Sequence, residues 1–134
     1  GALTRNRHLR FECRDLWLRV EGGGPFTQKI PQGTVLRLPI SHAEGRFQCD
    51  ERTLATLEER EQVAFRYCGP DGTVVDDEHT NPNGSLANIA GLYNESRNVL
   101  GLMPHPERAA EAILGNEDGL QIFRCLEAHL TEAA

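Results

Sequence analysis

The segment Met103–Glu107, which reads Met-Pro-His-Pro-Glu, is the strongest chemical signal in the sequence. Each proline fixes its own φ and biases the residue before it towards an extended backbone, so His105 is predicted to be extended. Side chains two residues apart in an extended segment point the same way, and His105 and Glu107 should therefore share a face. A carboxylate beside an imidazole fixes the ring tautomer and favours the protonated ring. The pair is typical of the base and orienting acid of a nucleophilic triad.

A base of this kind needs a nucleophile, and the four cysteines are poor candidates. They are Cys13, Cys49, Cys68 and Cys125, and none lies in a Gly-x-Cys-x-Gly elbow between a strand and a helix. Their wide spacing argues against a zinc site or a disulfide framework and favours reduced thiols in a cytoplasmic protein. Cys13 is predicted to be the most exposed, whereas Cys68 and Cys125 fall in apolar patterns and should fill the core. From residue types alone, His105 is equally well a catalytic base or a histidine in a proline-rich turn.

Two other polar segments could bind ligands. Residues 41–47 read Ser-His-Ala-Glu-Gly-Arg-Phe after a predicted strand, and backbone amides in such a loop can bind an oxyanion or a carboxylate. Residues 76–79 read Asp-Asp-Glu-His and could supply oxygen ligands to a divalent cation. Without further context, a solvated loop is the favoured interpretation of both segments, and no metal site is predicted.

The elements that must position these residues follow from hydrophobic period and turn residues. Strands are predicted at 15–20, 34–40, 62–68, the second half of 85–93 and 98–103. Residues 73–75 could pair back as a hairpin after the turn at 69–72. Helices are predicted at about 51–60, capped by Asp50, and at about 117–130, capped by Asn116. Strands outnumber helices, so the class is α/β or α+β, and His105 follows the last strand directly.

Composition excludes several classes of protein. The chain has 134 residues, of which 39% are apolar and 25% charged, so it suits one globular domain. With 14 Lys and Arg against 20 Asp and Glu, the net charge is −6, which argues against nucleic-acid binding. No apolar run approaches the roughly 18–20 residues of a membrane helix. The first residue is Gly1 rather than Met, so the chain is predicted to be a piece of a longer protein.

The motifs together resemble one family. Residues 104–107 resemble the His-Pro-Glu signature of class I, triad-type glutamine amidotransferases. Residues 39–47 are similar to the P-I-x-H-G-E-G-R-[FY] segment of the branch that contains the glutaminase subunit or domain of phosphoribosylformylglycinamidine synthase. Residues 81–92 are similar to its N-P-N-G-S…I-A-G-[IL] segment, and residues 6–14 also fit the branch. The resemblance covers nearly the whole chain in order.

For the fold, this resemblance implies an α/β, flavodoxin-like domain of three layers, here lacking its N-terminal strands and helices. Residues 1–134 are then the C-terminal part of a single glutamine amidotransferase domain. The family's nucleophilic cysteine lies in a glycine-rich elbow upstream of every residue in this sequence. The resemblance therefore implies that the chain alone is inactive.

For the site, the resemblance assigns His105 as the triad histidine and Glu107 as the triad carboxylate. It assigns His42, Ala43 and Glu44 to the loop whose backbone helps to hold the substrate glutamine. This sequence has Ala43 where the branch usually has glycine. If the loop needs a positive φ there, Ala43 would be strained or the loop would shift.

For function, the resemblance implies hydrolysis of glutamine to glutamate and ammonia in purine biosynthesis. A synthetase subunit or domain would use the ammonia, with ATP and Mg, to convert formylglycinamide ribonucleotide to the amidine. No cofactor is expected in this chain, because the run Glu21–Pro25 lacks the Lys and Ser/Thr of a phosphate-binding loop. The alternative is a non-catalytic, amidotransferase-like interaction module that keeps its motifs as a scaffold.

Overall fold

A five-stranded antiparallel sheet is the largest unit of regular structure. The computed structural model describes residues 1–132. The strands are β1 (Ala2–Thr4), β2 (Glu12–Val20), β3 (Val35–His42), β4 (Arg46–Gln48), β5 (Val63–Cys68), β6 (Ile89–Tyr93) and β7 (Leu100–Leu102). The helices are α1 (Glu51–Glu59) and α2 (Leu120–Glu132), and short 3₁₀ turns occupy Leu86–Asn88, Pro106–Ala109 and Ala112–Leu114. The main sheet has the order β3-β2-β5-β6-β7, and β1 pairs with β4 as a separate ribbon.

The α/β class is confirmed, with α2 packed in the larger of two cores and α1 packed over the smaller one. All pairings among residues 1–132 are antiparallel, so the parallel strands of a flavodoxin-like domain are not among these residues. Among the same residues, the longest apolar helix is too short or too polar to cross a bilayer.

The larger core lies on one face of β2 and β3. Their buried residues alternate with less buried ones, and the register places Leu16 opposite Leu38 and Leu18 opposite Leu36. Ile122 of α2 joins the same cluster. Each fully buried leucine of this kind contributes about 1.5–3 kcal/mol. The predicted core positions of Cys68 and Cys125 are also confirmed, since both are buried.

A smaller core lies beneath α1. It contains Phe47, Val63 and Ile89, and the helix adds Leu54 and Leu57 from one side. Asp50 caps α1 as predicted.

Two local predictions were wrong. Residues 73–75 form no strand, because the carbonyl of Val75 accepts a 2.8 Å hydrogen bond from Nδ2 of Asn88 instead of pairing along a ladder. Helix α2 begins at Leu120 rather than 117, because the side-chain oxygen of Asn116 accepts from the amide of Asp118 and closes a turn there.

The outer edge of β3 is covered by non-strand groups. The amide of Arg37 donates to the carboxylate of Asp118 (2.8 Å), and its carbonyl accepts from the side chain of Asn116 (2.6 Å). Two residues on, the carbonyl of Pro39 accepts from the amide of His105 (2.8 Å). Pro39 has no N–H to offer at this edge, which is where proline is tolerated in a sheet. This capping brings the His-Pro-Glu segment against β3.

Candidate active site

His105 and Glu107 are in direct contact. The Nδ1 atom of His105 lies 2.8 Å from Oε1 of Glu107, as the spacing predicts. The backbone of His105 is extended (φ −103°, ψ 89°), and Pro106 begins the 3₁₀ turn that carries Glu107. Glu107 therefore reaches back to the imidazole from the first turn of this short helix, instead of from the same strand.

The carboxylate is the form of Glu107 that this geometry favours. Partial burial acts to raise the pKa of Glu107, but its backbone hydrogen bond, the hydrogen bond and charge of His105, and the charge of Arg108 together hold the pKa below its ordinary value. An ionised Glu107 accepts a hydrogen bond from the N–H at Nδ1, so Nε2 of His105 is left as the basic nitrogen. The side chain of His105 is 30% exposed, so a reactant can reach it.

A close approach between two segments holds the dyad in place. The amide of Gly119 donates to the carbonyl of Ala109 (2.7 Å), which brings the residue before α2 against the His-Pro-Glu turn. A Cβ on Gly119 would lie 2.1 Å from the carbonyl oxygen of Pro106. Only glycine fits there, and no local pattern in the sequence marked this position.

None of the four cysteines is partnered with the base in the part of the chain that the structure describes. All four are free thiols, and His105 hydrogen bonds through its side chain only to Glu107 among residues 1–132. Cys68 is buried, and burial raises the pKa of its thiol to about 11, so it is neutral at pH 7. Cys13 is exposed on β2, opposite Ser41 of β3. Within residues 1–132, the candidate triad is therefore limited to His105 and Glu107.

The loop of His42, Ala43 and Glu44 lies at the same end of the sheet as the dyad. It follows Pro39, whose carbonyl holds His105, by three residues, which is about 10 Å of strand. His42 is buried, and this burial, reinforced by the charge of His105, lowers the pKa of its imidazole despite the opposing charge of Glu12. The structure thus brings all five predicted site residues to one region.

Ala43 is not strained. It is absent from the residues of positive φ, so the glycine of the branch is not required by the backbone conformation seen here. The constrained glycine is the next one, Gly45, where a Cβ would lie 2.5 Å from the ring of His42. Ala43 and Glu44 are exposed, and Glu44 makes only a 3.6 Å ion pair with the exposed Arg5.

A buried polar segment supports this loop from below. Residues 81–85 are all buried. The side-chain amide of Asn83 donates to the carbonyl of Gly45 (3.0 Å), and the side chain of Asn6 contacts the same loop. Both asparagines belong to segments that carried the resemblance, but nothing in their local sequence indicated burial.

Two cavities adjoin strand β7. One, of about 250 Å³, is bounded by Leu100 and Leu102, by α2, and by His105 and Glu107 at its rim. The other, of about 350 Å³, is lined almost wholly by apolar atoms, including those of Met103 and Phe47. Within the described residues no group of three or more His, Cys, Asp or Glu side chains could hold a metal ion.

Comparison with known proteins yields one consistent family. The profile described as "CobB/CobQ-like glutamine amidotransferase domain" matches residues 1–122. The chain is similar to the protein named phosphoribosylformylglycinamidine synthase subunit PurQ from Methanosarcina barkeri, with 54% identity over 98% of this chain and 56% of that protein. It is similar to the protein of that name from Salinibacter ruber, with 51% identity over 100% of this chain and 57% of that protein.

A solved structure is also similar. It is titled "Structure of PurLQS from Thermotoga maritima", and the similarity has a TM-score of 0.77 and 39% identity over 97% of this chain and 53% of that chain. The chain spans about half the length of the curated relatives it matches.

Proposed function

The chain belongs to the family of CobB/CobQ-like glutamine amidotransferase domains, and from that membership we propose that it carries the base and the orienting acid of a glutaminase. The observation that supports this most directly is the 2.8 Å contact between His105 Nδ1 and Glu107 Oε1. Residues 1–134 are then the C-terminal part of a single amidotransferase domain. The loop of His42, Ala43 and Glu44 would hold glutamine through its backbone.

In the proposed reaction, the nucleophile is a cysteine from outside residues 1–134. Nε2 of His105 takes the thiol proton, and the thiolate attacks the side-chain carbonyl carbon of glutamine. When the tetrahedral intermediate collapses, its C–N bond breaks and His105 returns the proton to the leaving ammonia. His105 then takes a proton from water as the water oxygen attacks the γ-glutamyl thioester. The C–S bond breaks, and His105 returns this proton to the leaving thiolate, which releases glutamate and the thiol. Glu107 orients the ring and stabilises its charged form throughout.

The names of the relatives support a place for the whole protein in a larger assembly. By analogy with proteins named phosphoribosylformylglycinamidine synthase subunit PurQ, ammonia would pass to a synthetase subunit or domain. That partner would bind ATP and Mg and convert formylglycinamide ribonucleotide to the amidine in purine biosynthesis. We place this complex in the cytoplasm, without cofactor in this chain and without a role for nucleic acid.

The experiment compares two nitrogen donors. In the whole protein assembled with its synthetase, His105→Ala should abolish amidine formation from glutamine and preserve it from added ammonia, because only the base is lost. The exposed His79 provides a matched control, and His79→Ala should leave both activities unchanged. A wild-type complex that uses ammonia but not glutamine would overturn the proposal and support the non-catalytic module instead.

A second measurement addresses the proposed nucleophile. The 134-residue chain on its own should not hydrolyse glutamine, since the covalent route requires a thiol beside His105. Glutamate release by this chain would contradict an external nucleophile.

A further inference from the structure

We infer that Asn6 is a positioning residue for the glutamine-binding loop and acts on it through His42. This inference rests on the proposed function. Asn6 is fully buried, although it lies in an irregular segment between β1 and β2. Its backbone amide donates to the carbonyl of Ala43 (2.8 Å), and its side chain donates to the carbonyl of His42 (2.8 Å). One side chain and its own backbone thus hold two successive carbonyls of the loop.

The hydrogen bonds fix the orientation of the Asn6 amide. Nδ2 donates to two carbonyls, those of Arg10 and His42, both at 2.8 Å. Because both protons on Nδ2 are used in these bonds, Oδ1 of Asn6 must face Nδ1 of His42 (3.0 Å) and the amide of Gly45 (3.4 Å). A carboxamide oxygen is only an acceptor, so Nδ1 of His42 must carry a proton. Asn6 therefore selects one tautomer of a buried, neutral histidine.

The selected tautomer leaves Nε2 of His42 as a buried acceptor, and it has no hydrogen-bond partner within residues 1–132. A buried acceptor without a partner is unfavourable, and such groups are rare in folded proteins. The ring cannot relieve this by turning, because Asn6 holds its other nitrogen and Gly45 covers its face. The arrangement holds the loop in one conformation at a cost in stability, which is typical of a site rather than of a core.

The loop is also held from its far side. The side-chain amide of Asn83 donates to the carbonyl of Gly45, and the carbonyl of Asn83 accepts from the amide of Arg7, the neighbour of Asn6 (2.9 Å). Between these supports, the backbone amides of Ala43 and Glu44 make no hydrogen bond to any of residues 1–132. These two amides are unused hydrogen-bond donors on a loop that is held in place, and a ligand carboxylate would need such donors.

The test is a steady-state comparison in the whole protein with its synthetase. Asn6→Asp keeps the size of the side chain but removes both Nδ2 donors and sets a carboxylate against two carbonyls. We expect KM for glutamine to rise about tenfold or more, as for the loss of positioning hydrogen bonds. We expect kcat to change less and ammonia-dependent synthesis to be unchanged, because Asn6 does not touch the dyad.

The matched control is Asn88→Asp. Asn88 is also a buried asparagine whose Nδ2 donates to two carbonyls, those of Tyr67 and Val75, but its side chain makes no hydrogen bond to residues 42–45. Its substitution should destabilise the fold in a similar way and leave KM within about twofold. An unchanged KM in Asn6→Asp, or an equal rise in both variants, would overturn the inference. A wild-type protein without glutamine-dependent activity would overturn the proposed function instead.

A measurement on the unmodified protein remains decisive if Asn6→Asp does not fold. In amide exchange of the whole subunit, the Gly45 amide should be protected by Asn6, whereas those of Ala43 and Glu44 should exchange rapidly. Added glutamine should slow exchange of the latter two. Rapid exchange at Gly45, or no effect of glutamine on Ala43 and Glu44, would refute the positioning role.

Discussion

The backbone amide of His105 donates a 2.8 Å hydrogen bond to the carbonyl of Pro39. This bond ties the segment that carries the proposed base to the strand that leads into the proposed glutamine-binding loop at His42. The base and the loop therefore share one rigid support, which is how catalytic groups keep their relative positions. A change in either segment should therefore alter the position of the other. Substitutions of the surrounding residues can test each contact separately.

Removal of the charge on Glu107 should impair the glutaminase step only. Glu107→Gln keeps a side chain of similar size near Nδ1 of His105 but cannot stabilise an imidazolium. We expect kcat with glutamine to fall by about 10²-fold, the low end of general acid–base effects. Rates with glutamine and with ammonia, measured on the assembled complex, check this. An equal fall in both rates would show that Glu107 supports the fold or the synthetase instead.

Gly119→Ala should displace the dyad without touching it. The new Cβ would lie 2.1 Å from the carbonyl oxygen of Pro106, so the backbone after His105 must shift. We expect a loss of about 1–3 kcal/mol in the free energy of unfolding and a lower kcat with glutamine. Gly23→Ala is the control, since no heavy atom lies within 4 Å of its Cβ. Urea titration and glutamine kinetics test both variants, and wild-type values for Gly119→Ala would contradict the proposed close approach.

The cap of α1 allows a test of stability alone. Oδ1 of Asp50 accepts from the amide of Thr53 at 2.7 Å. Asp50→Ala removes this acceptor and should lower the free energy of unfolding by about 0.5–2 kcal/mol, whereas Asp50→Asn retains a capping oxygen and should cost much less. Denaturant unfolding of the whole protein gives both values. Equal losses in the two variants would argue against the cap.

His42 should make stability depend on pH in mild acid. Burial lowers the pKa of its imidazole below the ordinary 6.5, so between the lowered value and 6.5 the unfolded chain binds more protons than the folded one. Stability must then fall as pH falls through this interval. The effect is measured by urea titration of the whole protein at about pH 7.5 and about pH 5.5.

The variant His42→Asn removes this titration and should lose less stability between the two pH values than the wild type. The exposed His79 supplies the control, and His79→Asn should keep the wild-type pH dependence. Parallel curves for the wild type and His42→Asn would contradict the assignment.

The features that the sequence predicted correctly depend on neighbours in the chain. Asp50 was predicted as a cap because a cap bonds to residues two or three positions on. The contact of His105 with Glu107 was predicted because two prolines restrict the backbone between them. Strands β2, β3 and β5 follow from apolar alternation over six or more residues.

The features that were missed depend on contacts between distant segments. Val75 was expected in a hairpin, but its carbonyl is taken by the side chain of Asn88. In the sequence, Asn6 is an ordinary polar residue. The fold brings it into contact with His42, although the two residues are 36 positions apart in the chain. Gly119 is similar, because its constraint comes from Pro106 across a turn. Contacts between such distant residues produce no periodic pattern in a single sequence.

The two edges of the main sheet are chemically unequal. Along β3, groups from Asp118, Asn116 and His105 already occupy the outward-facing polar atoms of Arg37 and the carbonyl of Pro39. Along β7, no strand from residues 1–132 lies on the outer side. The middle of β3 is therefore closed to a further strand, whereas β7 can pair with one. Such a strand would run beside the residues that lead into His105, so extension of the sheet and completion of the site would occur at the same edge.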